Sequence, residues 1–171
     1  MNFIQLDTPC LIIDKQIMEK NLKRMQYYAD SAGVSLRPHT KTHKTPALAL
    51  RQKELGACGI TVAKVSEAEE MAKSGIDDIF IANEIVGTEK LKRIAFLSDR
   101  IRISFGLDSI EQADIVERCF TDVNRTAEVL IEIEVGENRS GIIEETDFLA
   151  LLSHLKTCPH IHLKGVFSHD G

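Results

Sequence analysis

Short apolar runs alternate along the chain with longer stretches whose apolar residues recur at helical spacing, the pattern of βα units feeding a parallel sheet. The run PCLII at 9–13 leads into Asp14, which is placed to cap a helix continuing to about Ala32. Ile17, Leu22, Met25 and Tyr28 mark the apolar stripe of that helix, and Gly33 ends it. VSLRPHT reads as a strand with polar residues at its C-terminal end, and Pro46 suits the first turn of a helix that stops at Gly56. CGITVA at 58–63 is strand-like, and Ser66 with Glu69 forms a capping box for a helix ending at Gly75. DIFIAN at 78–83 predicts the next strand, a helix over roughly 88–98 follows, and RIRISFG at 100–106 predicts another strand. Ser109 and Gln112 form a second capping box, opening a helix through about Cys119. AEVLIEIEV at 127–135 is the longest strand pattern; the loop GENRSG, a helix over roughly 145–156 and the strand HIHLKGVFS at 160–168 complete the chain.

About six strands result, each except the last followed by a helix, and right-handed crossovers make them one parallel sheet. An open doubly wound sheet and a (β/α)8 barrel lacking its last units both satisfy this count. The absence of a helix after the last strand favours the interrupted barrel, because an open sheet needs cover on both faces. No linker or composition break divides the chain, so residues 1–171 read as one domain.

Composition narrows the function classes. The chain has 171 residues, a net charge of -5, 43% hydrophobic and 27% charged residues, the profile of a soluble globular domain. A mildly acidic balance gives no basic footprint for nucleic acid, and the apolar runs fall far below the ~20 residues needed to span a bilayer. MNFIQLDTPC lacks the basic and apolar regions of a secretory signal, and Cys10, Cys58, Cys119 and Cys158 form no CxxC pair. A cytoplasmic protein with reduced thiols is the expectation. The length is short of the ~250 residues of a closed α/β barrel.

In either architecture the active site lies at the C-terminal ends of the strands. There RPHTKTHK (37–44) would, if it stayed extended, point Arg37, His39, Lys41 and His43 to one side. Such crowding of positive charge favours a neutral, nucleophilic lysine amine; a solvated basic loop is the alternative. His39 and His43 have zinc-like spacing but need a third ligand. In GENRSG (136–141), Gly136 and Gly141 allow a tight turn around Arg139, an anion or phenolate clamp or else an ordinary surface arginine. His169, at the end of the last strand, is a candidate acid or base, or a merely terminal polar residue. Asn83, Glu84 and Asp108 also end strands, Asp108 being equally a helix-capping residue. Cys158, His160 and His162 alternate at the opposite end and read as core and edge positions.

TPCLIID, RPHTKTHK, the stretch from GACGITVAKVSEAEEMAKSG to DIFIANEIVG, IEIEVGENRSGI and GVFSHDG occur in this order. Together they resemble the pyridoxal-phosphate enzymes of the D-threonine aldolase and D-serine dehydratase group, built on the alanine racemase N-terminal barrel (fold type III) followed by a β-domain. The resemblance implies a (β/α)8 TIM-type barrel, present here as about six βα units, and a PLP-dependent lyase acting on D-β-hydroxy amino acids. It assigns Lys41 as the Schiff-base lysine, Arg139 as the donor to the phenolic oxygen of pyridoxal 5'-phosphate, His169 as the histidine beside the pyridine ring, and His39 as a neighbour of the cofactor. It further implies retro-aldol cleavage of a small D-amino acid to glycine and an aldehyde, with dehydration, racemisation or a catalytically inactive cofactor-binding remnant as alternatives. A divalent metal and a homodimer belong to the full-length family; the metal ligands lie in the β-domain and are not among residues 1–171. An unclosed barrel exposes two strand edges, so a chain of this length alone is expected to be poorly stable, oligomeric or aggregation-prone.

Overall fold

Five parallel strands in unbroken order form a single sheet: β1 (Ile60–Val62), β2 (Asp78–Glu84), β3 (Arg102–Leu107), β4 (Ala127–Glu132) and β5 (Ile161–Phe167). They are seen in a computed structural model that describes residues 5–170. Six helices accompany them: α1 (Lys15–Ser31), α2 (Pro46–Glu54), α3 (Val65–Lys73), α4 (Thr88–Leu97), α5 (Ile110–Asp122) and α6 (Glu145–Leu155).

The strand order decides between the two architectures. With right-handed crossovers, a doubly wound sheet must reverse its order to place helices on both faces, whereas a monotonic order puts every crossover helix on one face. Alternation along the strands matches the second case. Ile60, Val62, Ile79, Ile81, Phe105, Leu107, Val129 and Ile131 are fully buried. They pack with Ala68 and Met71 of α3, Leu91 and Ile94 of α4, Val116 and Phe120 of α5 and Leu151 of α6 in one core. The opposite, concave face carries Thr61, Phe80, Ser104, Gly106, Glu132 and Phe167, a mixed polar and aromatic set. The result is a sector of an α/β barrel.

The expected first strand is only partly one. Residues 34–40 run parallel to β1, with Cys58 N–H donating to Leu36 O at 2.9 Å, Thr61 N–H to Pro38 O at 2.8 Å, and one bridge from His39 to Thr61. A 3-10 turn at Thr40–Thr42 then ends the extension, because the buried Thr40 hydroxyl donates to Thr61 O at 3.2 Å. Five strands plus this bridged segment therefore stand where six strands were expected.

Asp14 caps α1 by accepting from Ile17 N–H at 3.0 Å, and Ser109 caps α5 by accepting from Gln112 N–H at 3.3 Å. The Ser66–Glu69 capping box does not form. Buried Val65 already opens α3, Glu67 accepts from Ala63 N–H at 2.9 Å, and Glu69 pairs with Arg93. The stripe on α1 is also not core: Ile17, Met25 and Tyr28 are exposed, as are Leu11, Ile12 and Ile13.

Candidate active site

The C-terminal ends of the strands open on a cleft of about 460 Å³. His39, Glu84, Glu132, Arg139, Phe167 and His169 are among the residues that line it. Its floor is aromatic: Phe80 of β2 and Phe167 of β5 meet edge to face with ring centroids 4.9 Å apart, a favoured aromatic geometry. The curvature of the sheet brings these two rings together although two strands, β3 and β4, lie between β2 and β5.

The loop after β4 is built to project Arg139. Glu134 accepts from Gly136 N–H at 2.7 Å and Asn138 N–H at 2.6 Å, bonds that hold its carboxyl below the usual range. Gly141, at φ +93°, lies against the β4 extension so tightly that a Cβ would sit 2.8 Å from Glu134 N. The returning chain pairs Ile142 N–H with Glu132 O at 2.9 Å, and Ser140 Oγ donates to Glu132 Oε1 at 3.0 Å. For this reason β4 ends at Glu132 rather than at the expected Val135.

Arg139 and His169 are brought together, with Nη1 to Nε2 at 2.7 Å, and His169 Nδ1 lies 2.6 Å from Glu137 Oε2. Glu137 carries no signal in the sequence beyond its place in the loop. His39 lines the opposite wall; burial first, then the nearby Lys41 charge, holds its imidazole below the ordinary histidine range.

The cationic face expected of RPHTKTHK is not formed. The turn at Thr40–Thr42 sends each side chain elsewhere. Arg37 lies at the other end of the sheet, paired with Asp78 at 2.6 Å in a space kept open by Gly59, where a Cβ would collide with the guanidinium. His43 Nδ1 accepts from Thr45 N–H at 3.0 Å, and burial lowers its pKa. Lys41 is exposed in the turn directly after His39 and does not line the cleft. Among the described residues, no group of three or more His, Cys, Asp or Glu side chains is arranged to hold a metal. His160 pairs instead with Glu117 at 2.9 Å.

Asn83 and Glu84 line the cleft; Asp108 does not. Asp108 N–H donates to Gln112 Oε1 at 3.1 Å, and the buried Gln112 amide donates to Gly106 O at 2.9 Å and Ile85 O at 3.3 Å. This one side chain ties α5 to the ends of β2 and β3. Glu132, buried on the cleft floor, is the residue that sequence reasoning overlooked. Its only signal is parity, since it falls on the same face as Glu128 and Leu130 rather than with the apolar Val129 and Ile131.

A one-sided α/β sheet with a polar cleft at its strand ends defines the class as an α/β barrel unit. Residues 13–171 match the family described as alanine racemase, N-terminal domain, and the chain belongs to that family. It is 38% identical to a D-threonine aldolase of an Arthrobacter species over 98% of this chain and 44% of that protein. It is 32% identical to the D-threo-3-hydroxyaspartate dehydratase of a Delftia species, again over 98% of this chain and 44% of the relative. The crystal structure of a D-threonine aldolase from Filomicrobium marinum superposes with a TM-score of 0.91 at 40% identity, over 96% of this chain and 45% of that one. The chain thus spans less than half the length of these relatives.

Proposed function

We propose that the cleft is the ring-binding half of a pyridoxal-phosphate site, and that the chemistry is that of a lyase acting on D-β-hydroxy amino acids. The observation that carries the reading is the convergence of Arg139, His169 and His39 in one cleft, with Lys41 in the turn beside it. The residues fit the ring end of the cofactor. Phe80 and Phe167 offer aromatic faces, Arg139 is a fixed donor for the phenolic oxygen, and Lys41 supplies the primary amine for the aldehyde. Among the described residues none is placed to seat its phosphate: the lining at Glu84 and Glu132 is acidic, and the basic groups of the cleft, Arg139, His169 and His39, are those assigned to the ring end.

Pyridoxal phosphate, when bound, supplies an electron sink; the chain's own residues orient the bond to be broken. His169 offers the Nε2 lone pair, released when Arg139 turns to the ligand, as the base for the proton of a β-hydroxyl. D-threonine and 3-hydroxyaspartate, named in the relatives, both carry that hydroxyl, which supports retro-aldol cleavage to glycine and an aldehyde. The dehydratase relative favours dehydration as the second reading. The substrate partner is a small D-amino acid.

The test is borohydride reduction of the chain with pyridoxal phosphate, followed by peptide mapping. An adduct on the peptide containing Lys41, absent from Lys41→Ala, is expected; no adduct refutes the reading. Aldehyde release from D-threonine, set against ammonia release from D-threo-3-hydroxyaspartate, separates cleavage from dehydration. Binding without either product identifies a non-catalytic cofactor protein.

A further inference from the structure

Glu84 and Glu132 end β2 and β4, and β3 lies between them. Gly106 of β3 supplies the gap through which they meet. A Cβ there would stand 2.8 Å from Glu84 Oε1, 3.0 Å from Asn83 O and 3.0 Å from Phe167 Cζ. Both carboxyl groups line the cleft at this gap, close enough that Glu132 acts on the titration of Glu84. Among the described residues, Glu84 Oε1 is buried without a hydrogen-bond donor, and the one donor to the Glu132 carboxylate is the Ser140 hydroxyl. Two ionised carboxylates held so, with no cation between them, would repel strongly in a poorly solvated site. A single proton between them removes the conflict.

The other charged or titratable groups facing the pair do not relieve it. Asp108 at the end of β3 is acidic and itself raised by burial and by Glu132. Arg139 from the loop is engaged by His169 from the end of β5. His39 lies on the far wall beside Thr61.

We propose that Glu84 is a positioning residue: its carboxyl donates a proton to Glu132 across Gly106, Glu132 holds Ser140, and this relay fixes the loop that presents Arg139 to the cleft. Burial and the Glu132 carboxylate push the Glu84 carboxyl up to about 8, so the relay is intact at neutral pH and breaks as pH climbs past that point. Glu84→Gln keeps a donor that cannot ionise and preserves the relay at alkaline pH.

The ligand readout rests on the cofactor reading above; the loop readout does not. Amide exchange at Asn138 and Ile142 is compared between wild type and Glu84→Gln at matched pH below and above about 8. Equal protection below, and exchange about tenfold faster in wild type above, is expected. Pyridoxal-phosphate affinity should fall about threefold or more over the same interval in wild type only. Identical pH dependence of exchange in the two proteins overturns the relay. A wild-type Glu84 carboxyl that titrates in the ordinary acid range, followed by ¹³C NMR, overturns it without any variant. If exchange behaves as expected but neither protein binds pyridoxal phosphate at any pH, the cofactor reading fails and the relay stands.

Discussion

Arg139 Nη1 and His169 Nε2 are hydrogen-bonded at 2.7 Å, and a guanidinium has only donors. The ring nitrogen must therefore accept, which places the imidazole proton on Nδ1, where Glu137 Oε2 receives it at 2.6 Å. Neutral His169 is expected as the Nδ1–H tautomer in ¹⁵N-correlated NMR spectra. Glu137→Ala should lower the Nδ1–H population, and an Nε2–H tautomer in the wild-type protein would contradict the assignment.

Lys41→Ala is expected to separate chemistry from stability. The side chain is exposed and only the backbone N–H of Lys41 serves the fold, donating to His39 Nδ1 at 3.2 Å. Unfolding free energy should change by less than about 0.5 kcal/mol, while the borohydride-trapped adduct disappears. A large loss of stability would show that Lys41 has a packing role absent from this structure.

Gly106→Ala should destabilise the protein by about 1–3 kcal/mol, the usual penalty for overpacking, since the Asn83 carbonyl is held in β2 and the Phe167 ring in the aromatic floor. Thermal unfolding measures this. Glu84→Ala in the same background, which removes one of the three clashing groups, should recover part of the loss.

Gln112→Leu removes the partners of Gly106 O, Ile85 O and Asp108 N–H at once. Buried polar groups left without partners cost about 1–3 kcal/mol, so a comparable drop in unfolding free energy is expected.

Glu84 also sets a pH dependence of stability. Its folded carboxyl is raised to about 8 from an ordinary value of 4.5, so the folded state binds the proton more tightly than the unfolded chain. The contribution is complete below about 4.5 and is lost as pH rises through about 8. Unfolding titrations should show a decline across that window, of roughly 2–4 kcal/mol after relaxation of the site, and Glu84→Gln should flatten it. An unchanged slope in the variant would assign the decline to other groups.

Strands and helices were legible because the crossover units carry their own apolar runs and stripes, and because α1 and α5 open on the side-chain caps Asp14 and Ser109. The loop around Arg139 was legible because its glycines must adopt positive φ. Three things were not. The turn at Thr40–Thr42 depends on a hydroxyl bond to Thr61, a tertiary contact no local pattern shows. Glu132 was hidden inside a strand whose two faces serve different surroundings. The nearness of His39 to His169 arises only from curvature accumulated across the whole sheet. The stripe on α1 misled in the opposite way: its spacing describes a helix but does not say what covers it.

The unbroken strand order has a kinetic corollary. Every strand pairs with the one made just before it, so each loop to be closed is short and the sheet can lengthen in step with synthesis. The cleft does not share this locality, because one wall comes from His39 and the other from His169. Its walls meet only after β5 has docked, so ligand binding in a nascent chain would report the moment at which β5 joins the sheet.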